Sequence, residues 1–204
     1  MKDKTADARP RLRDTDLGYG YDSADDALRR FYVPALSRST RYDRSVGYFR
    51  ASAFKSAAVG LSRFIAGKGK ARFLVGAEIA EADRDAMTGA LSIPDDLADR
   101  LAAELVPADE IAEHRLQVIA WLVQQERLRI RVAVALDGDG RPVPPGSHIP
   151  YFHEKLGVLR DADGDGVAFM GSINESDTAW SSNFESFSVF RSWDGTGPYF
   201  DYWS

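Results

Sequence analysis

The chain is predicted to fold as a layered α/β domain, and three observations point there. Short segments alternate apolar and polar residues with the period of a strand, as in "ARFLVGAEI" and "LRIRVAVAL". Between them lie longer segments whose apolar residues recur every three or four positions, the spacing of an amphipathic helix. At 204 residues and 44% hydrophobic, the chain suffices for one domain with a substantial core. Strands alternating with helices indicate a layered α/β architecture.

Residues 1–20 are polar and charged without apolar periodicity, and are expected to form a flexible arm ahead of a single domain over 21–198. Ser23 is placed to cap a first helix, with Asp26 favouring its N-terminus. Leu28, Phe31 and Tyr32 give that helix one apolar side until Val33-Pro34 interrupts it. "SVGYF" (45–49) reads as a short strand. Ser52 is expected to cap the next helix, whose Phe54, Ala58, Leu61 and Ile65 share a face and which "GKGK" ends. "ARFLVGAEI" (71–79) is a second strand. In "SIPDDLADRLAAEL", early aspartates suit the helix dipole and Leu97, Leu101 and Leu105 form one stripe. "DEIAEHRLQVIAWLVQQER" continues as helix with Ile111, Val118, Ile119 and Leu122 inward, and "LRIRVAVAL" (128–136) is a strand with one buried face. "DGDGRPVPPGSHIP" is rich in turn formers and too long for a simple connector. "YFHEKLGVLR" (151–160) and "GVAFMGS" (166–172) read as strands joined by "DADGDG", and "FESFSVFRSW" (184–193) as another. The aromatic end "GPYFDYWS", including 199–204, suggests either a docked terminus or a cut point in a longer protein.

The absence of cysteine excludes disulfides, iron–sulfur clusters and thiolate zinc sites. The opening "MKDKTADARPRLRDTD" has no apolar core for a signal peptide, and no later run approaches membrane-spanning length, so a cytoplasmic protein is expected. Net charge is −5, but the charge is segregated. Eleven basic residues stand against Asp43 alone over 27–77, and eleven acids against Arg84 and Arg100 over 78–113. A basic face for phosphates requires such a block, since affinity for nucleic acid follows local lysines and arginines. Pairing of the two blocks across the surface accounts for the pattern equally well.

Around "DADGDG" three chemistries compete. A calcium loop starting at Asp161 would set Asp163, Asp165 and Gly166 correctly, but its twelfth position is Ser172 rather than glutamate, and its flanks read as strands. Aspartate and glycine also suit a tight hairpin, which explains the composition without an ion. His153-Glu154 begins a zinc-protease pattern, but Gly157 stands where the second histidine belongs, and His114 and His148 are scattered. No metal site is expected. On a strand, His153 and Lys155 would emerge on one side and Glu154 on the other. Across the hairpin come Gly171, Ser172 and Asn174, then Asn183 and Glu185.

This constellation resembles the phospholipase D superfamily, whose signature is His-x-Lys, a downstream aspartate, then Gly-Ser-x-Asn. Here His153, Lys155, Gly171, Ser172 and Asn174 match, and "NFE" matches the asparagine and glutamate that commonly follow. The family's aspartate position is held by Arg160, and Asp161 lies one step later, so a structural role is carried to Asp161. The resemblance covers roughly residues 40 to 193. The "GYF" and "GSINES" wording is similar to a bacterial subgroup fused ahead of superfamily 2 helicases in DNA defence or repair. No GxxxxGK[ST] motif occurs, so a motor would lie elsewhere.

The resemblance implies an α/β/α domain with a mixed central sheet, and a metal-independent, cofactor-free phosphodiesterase. His153 would form a phosphohistidine, Glu185 would orient it, and Lys155, Ser172 and Asn174 would bind nonbridging oxygens. Gly171 and Asn183, with Arg50 and Lys55 of the basic block, are assigned to substrate contact. The family uses two signatures per site and this chain has one, which implies a homodimer sharing the site. Nucleic acid, DNA in particular, is the expected substrate. A binding or targeting module that grips phosphate without cutting it, and a lipid phosphodiesterase, are the alternatives.

Overall fold

A computed structural model describes residues 10–143, 152–181 and 184–204. Among these, seven strands form one mixed sheet: β1 (Gly20–Tyr21), β2 (Arg41–Val46), β3 (Lys70–Gly76), β4 (Leu128–Ala133), β5 (Lys155–Arg160), β6 (Gly166–Gly171) and β7 (Phe187–Arg191). Their order is β1-β7-β6-β5-β2-β3-β4. Strands β2, β3 and β4 run parallel, and β5, β6, β7 and β1 pair antiparallel. The two halves join where β5 pairs antiparallel with β2, Val46 opposite Lys155 and Arg44 opposite Gly157. Parallel neighbours need crossovers. Helices α1 (Val33–Arg38), α2 (Ser52–Ser56), α3 (Ala58–Ala66), α4 (Glu81–Thr88), α5 (Asp95–Ala102), α6 (Ala108–Glu113) and α7 (Arg115–Gln124) precede or form those connections. Short α8 (Asp177–Ser181) follows β6, and α9 (Gly197–Trp203) closes the described chain. No helix among the described residues is long and apolar enough to cross a membrane.

Alternation along the strands sorts the side chains. Tyr42 and Val46, Phe73 and Val75, Leu159, Phe169 and Val189 are buried with the helices in one large core. On the reverse face Val158, Ala168 and Phe200 form a smaller cluster under α9, joined by Leu156, Phe190 and Trp203. Helices thus flank both faces, unequally.

Several sequence expectations are corrected. Residues 10–20 are not a loose arm: Leu12 and Leu17 are 0% and 2% exposed, and β1 extends the sheet beside β7. Two isolated leucines in a polar segment give no periodicity, so their burial has no sequence signature. The cap of the first helix is Asp26 rather than Ser23, its Oδ1 accepting the Arg29 amide at 3.1 Å. Val33-Pro34 does not interrupt that helix. A wide turn over Leu28–Tyr32, closed by the Val33 amide on the Leu28 carbonyl, leads straight into α1. Proline at the second position of α1 lacks a donor for the Arg30 carbonyl, which accepts from the Tyr21 hydroxyl at 3.4 Å. The helix expected from Ser52 divides at Ala57, and the long helix before β4 divides at His114. The second break lets α6 pack on α3 while α7 packs on α4. Strand β2 spans Arg41–Val46 and ends before "GYF", and β5 begins only at Lys155.

Candidate active site

The candidate site lies where the parallel strands β2, β3 and β4 end and β5 begins. In open α/β sheets the carboxyl ends of strands form such crevices. His153 lies just before β5, outside the sheet, so the two-residue strand periodicity does not apply to it. It is exposed, and its ring packs on Gly47, the residue after β2. A Cβ at Gly47 would come within 2.9 Å of His153 Cδ2 and 3.1 Å of its Cα. A Cβ on Gly76, at the end of β3, would strike the Gly47 carbonyl. Two glycines at adjacent strand ends therefore provide the room in which the histidine segment lies. Glu154 turns to the other side, its Oε2 accepting from Ser45 Oγ at 2.6 Å.

Lys155 points into the core face beside Val46 and is buried, at 7% exposure. Its Nζ donates to the His153 carbonyl at 2.9 Å, so the two signature residues are tied through the backbone between them. Burial pushes the ammonium below the ordinary lysine range, the Glu185 carboxylate opposes that shift, and the Arg44 guanidinium adds to it. Glu185 thus acts on Lys155 through its charge.

The segment after β6 is bonded on both sides. The Ser172 amide donates to the Ser186 carbonyl at 2.9 Å, and Ser172 Oγ accepts the Ser186 amide at 3.0 Å. Gly171 sits against Ser186 and Phe187 so closely that any side chain would collide with backbone there. Asn174 Oδ1 accepts the Tyr48 amide at 3.2 Å. Gly47 thus touches His153 while its neighbour Tyr48 holds Asn174, and one dipeptide joins the two halves of the signature. Arg50 lies beside it: its guanidinium covers the Tyr48 ring at 4.7 Å and reaches Asp83 at 4.0 Å. Lys55 stands exposed on α2, which packs on α8 just after the Gly-Ser-x-Asn segment. Asn183 falls outside the described residues, as does His148.

Asp161 lies away from these groups and organises the hairpin turn. Its Oδ1 accepts the amides of Asp163 at 3.0 Å and Asp165 at 2.9 Å, and its Oδ2 accepts the Leu12 amide at 2.9 Å. Asp165 pairs with Arg13, and Gly164 supplies the positive φ of +93° that the turn needs. The calcium look of "DADGDG" therefore has a use in backbone and arginine contacts.

Sequence reading missed the support beneath the site. Glu175, fully buried, accepts from the Tyr32 hydroxyl, from the Tyr42 hydroxyl at 3.0 Å and from Arg44 Nε at 3.0 Å. Arg44 also donates to the Ile173 carbonyl at 2.6 Å, so its guanidinium braces both residues flanking Asn174. Burial, and then the Glu175 charge, push both tyrosine hydroxyls well above their usual pKa, keeping them as donors. Backbone bonds between Tyr48, Arg50 and Glu175 complete the clamp. The only sequence signal was the run "GSINES" itself, which places a glutamate directly after the signature asparagine.

No protein-family model matches the chain, and no curated protein matches it. Among solved structures, NucT from Helicobacter pylori is similar at 11% identity over 90% of this chain and 92% of that one, with a TM-score of 0.48. Nuc from Salmonella typhimurium, a phospholipase D family member, is similar at 12% identity over 90% and 89%, with a TM-score of 0.46. Yeast tyrosyl-DNA phosphodiesterase is similar at 8% identity and a TM-score of 0.42. There the similarity covers 76% of this chain, which spans about a quarter (26%) of the yeast protein's length.

Proposed function

We propose that this chain is a metal-independent phosphodiesterase of the phospholipase D type that cuts nucleic acid, DNA in particular. The observation that supports the reading is the Gly47-Tyr48 junction: Gly47 lies against His153, Tyr48 bonds Asn174, and Lys155 is bonded to the His153 carbonyl. An exposed imidazole, a buried cation and an amide converging at strand ends suit a phosphate with concentrated nonbridging charge.

In this reading His153 Nε2 attacks phosphorus, forming an N–P bond as the P–O ester bond breaks and the leaving oxygen takes a proton. Water then attacks phosphorus, the N–P bond breaks, and the water's proton passes to the group that served as acid. Glu185 accepts from Nδ1–H and steadies the phosphohistidine. Lys155 and Asn174 bind the nonbridging oxygens, and Ser172 keeps the Glu185 segment in place through Ser186. The general acid is His153 of a second copy across a twofold axis, and the two imidazoles share one proton in the active form. A fused or associated helicase would supply the DNA in a defence or repair setting.

The test is labelled single- and double-stranded DNA incubated with wild type and His153→Ala in EDTA. Cleavage by wild type, lost in the variant and bell-shaped in pH, supports the enzyme. Equal binding with no cleavage by either shows a module that grips phosphate without cutting it. Full activity in a strictly monomeric preparation would sink the shared site.

A further inference from the structure

Among the described residues, the reverse face of the sheet is only half covered. Beside α9, strands β2, β3 and β4 leave a groove of about 420 Å³ lined by Asp43, Ser45, Arg72, Leu74, Arg129 and Arg131, with Trp203 at its rim. The register lays its side chains out in rows. Arg160, Arg41 and Lys70 form an outer row, and Asp43, Arg72 and Arg129 a middle one. Ser45, Leu74 and Arg131 form the row nearest the strand ends. Among the described residues, these rows hold six cations and one carboxylate, and Glu154 adds a second carboxylate at the strand ends through Ser45. Asp43 is engaged by Arg72 at 2.6 and 2.7 Å, with Arg41 and Arg160 at 3.9 and 4.0 Å. Among the described residues no carboxylate pairs with Lys70, Arg129 or Arg131, all exposed. The acidic block does not neutralise them. It lies on α4, α5 and α6 against the opposite face, and Arg50–Asp83 is the ion pair that joins the two blocks among the described residues.

We propose that this open face is a second, non-catalytic surface that binds single-stranded nucleic acid and leads it to the His153 end of the sheet. Arginines spaced along two neighbouring strands match a flexible row of phosphates. Leu74, Leu156 and Trp203 between and beside them offer apolar contact to unstacked bases, which a duplex would not present. The rows are continuous with the candidate site: Ser45 of the innermost row holds Glu154, the neighbour of His153. From Asp43 to Gly47 is four residues, roughly 13 Å of strand, and Ser45 lies at about half that distance, so a single small diester at the site reaches neither row while a strand of several nucleotides spans both.

The surface is tested without turnover, which keeps it apart from the hydrolysis reading. Fluorescence anisotropy is measured with single strands of about 16 and about 4 nucleotides, a duplex and a poly-glutamate peptide. The variant is Arg129→Thr with Arg131→Thr, β-compatible changes on an exposed edge strand, and circular dichroism confirms its fold. A small chromogenic phosphodiester, bis(p-nitrophenyl) phosphate, reports the catalytic site. The expected result is a loss of about tenfold or more for the long strand, with a salt slope smaller by about 1.4 for two lost phosphate contacts. The short strand is expected to lose less than the long one, and the small diester to be unaffected. Unchanged affinity for the long strand overturns the proposal, as does equal dependence on the arginines for the duplex or the acidic peptide. A change in oligomer mass in the variant also overturns it, since the face would then join copies of this chain. If wild type turns over no diester but long-strand binding still depends on Arg129 and Arg131, this surface stands and the hydrolysis reading falls.

Discussion

At the scale of single residues, the site depends on groups with no chemistry of their own. Gly47 is the sharpest case. Gly47→Ala brings a Cβ to 2.9 Å from His153 Cδ2, closer than real side chains approach, so the histidine segment must move. A displacement near 1 Å costs up to about a hundredfold in rate. We expect kcat/KM on DNA to fall about 10- to 100-fold, while the thermal midpoint changes little because the clash is at an exposed segment. Steady-state kinetics beside a melting curve check both. Lys155 carries a second prediction. Its pKa is held down chiefly by burial and raised by Glu185. Glu185→Gln removes the raising charge, so Lys155 loses its proton at lower pH than in wild type. An NMR titration of the Lys155 side chain reads this apart from the imidazole pair, and a transition that stays in place or moves up would show that Glu185 does not act on Lys155. His153, Lys155 and Asn174 were legible because their identity and spacing are local to the sequence. Gly47 and Tyr48 stood in the quoted "GYF" wording, but their contacts with His153 and Asn174 join residues over a hundred positions apart, which no spacing displays.

At the scale of elements, strand positions were readable and their ends were not. Period-two alternation marked β3 and β4, whereas β5 and β6, buried on both faces, were read as apolar runs on either side of the aspartate–glycine turn. It could not say that "YFHEKLGVLR" begins pairing only at Lys155, since pairing ends where β2 ends at Val46. The buried cluster beneath the signature was invisible for a related reason: Tyr32, Tyr42, Arg44 and Glu175 come from three separate elements. Alternation would assign Arg44 to the core side of β2, where a lone arginine reads as an exception. Its partner explains it, as both side chains are 0% exposed. Glu175→Ala leaves that guanidinium buried without its anion, a change that costs about 3–5 kcal/mol. Against a typical total of about 5–15 kcal/mol this is severe, and urea denaturation should show it as a lowered midpoint. Glu175→Gln keeps an acceptor for the tyrosines and is expected to lose less. Replacing the whole cluster by apolar residues, Arg44→Met and Glu175→Leu with Tyr32→Phe and Tyr42→Phe so that no buried hydroxyl is left without an acceptor, should recover much of the stability but not activity, because Ile173 and Asn174 lose their brace. Recovery of both would show that the pair serves packing alone.

At the scale of the whole molecule, the layered α/β class followed from the alternation of strands and helices, but the ends of the chain did not. The segment read as a loose arm joins the two turns of the sheet's antiparallel half. Leu12 donates its amide to Asp161, Arg13 pairs with Asp165, and the Leu17 carbonyl accepts from Arg191 at 2.7 Å. Tyr19 then lies under the Arg191 guanidinium at 3.8 Å. The hairpin between the two halves of the signature is thus fastened from outside by residues 12–19, and its loosening would reach both His153 and Asn174. Leu12 and Leu17 are worth about 1.5–3 kcal/mol each when fully buried. Deletion of residues 1–18 should therefore cost about 3–6 kcal/mol, a fall of roughly 6–24 °C in Tm for a chain of this size. Arg13→Ala should cost much less than the deletion, because that arginine is 43% exposed and its ion pair is partly screened. If the two variants melt together near wild type, the segment is dispensable and the turn holds itself. If the deletion melts far lower while Arg13→Ala does not, the leucines fasten the hairpin, and the loss of DNA cleavage in the deletion should track the fraction unfolded.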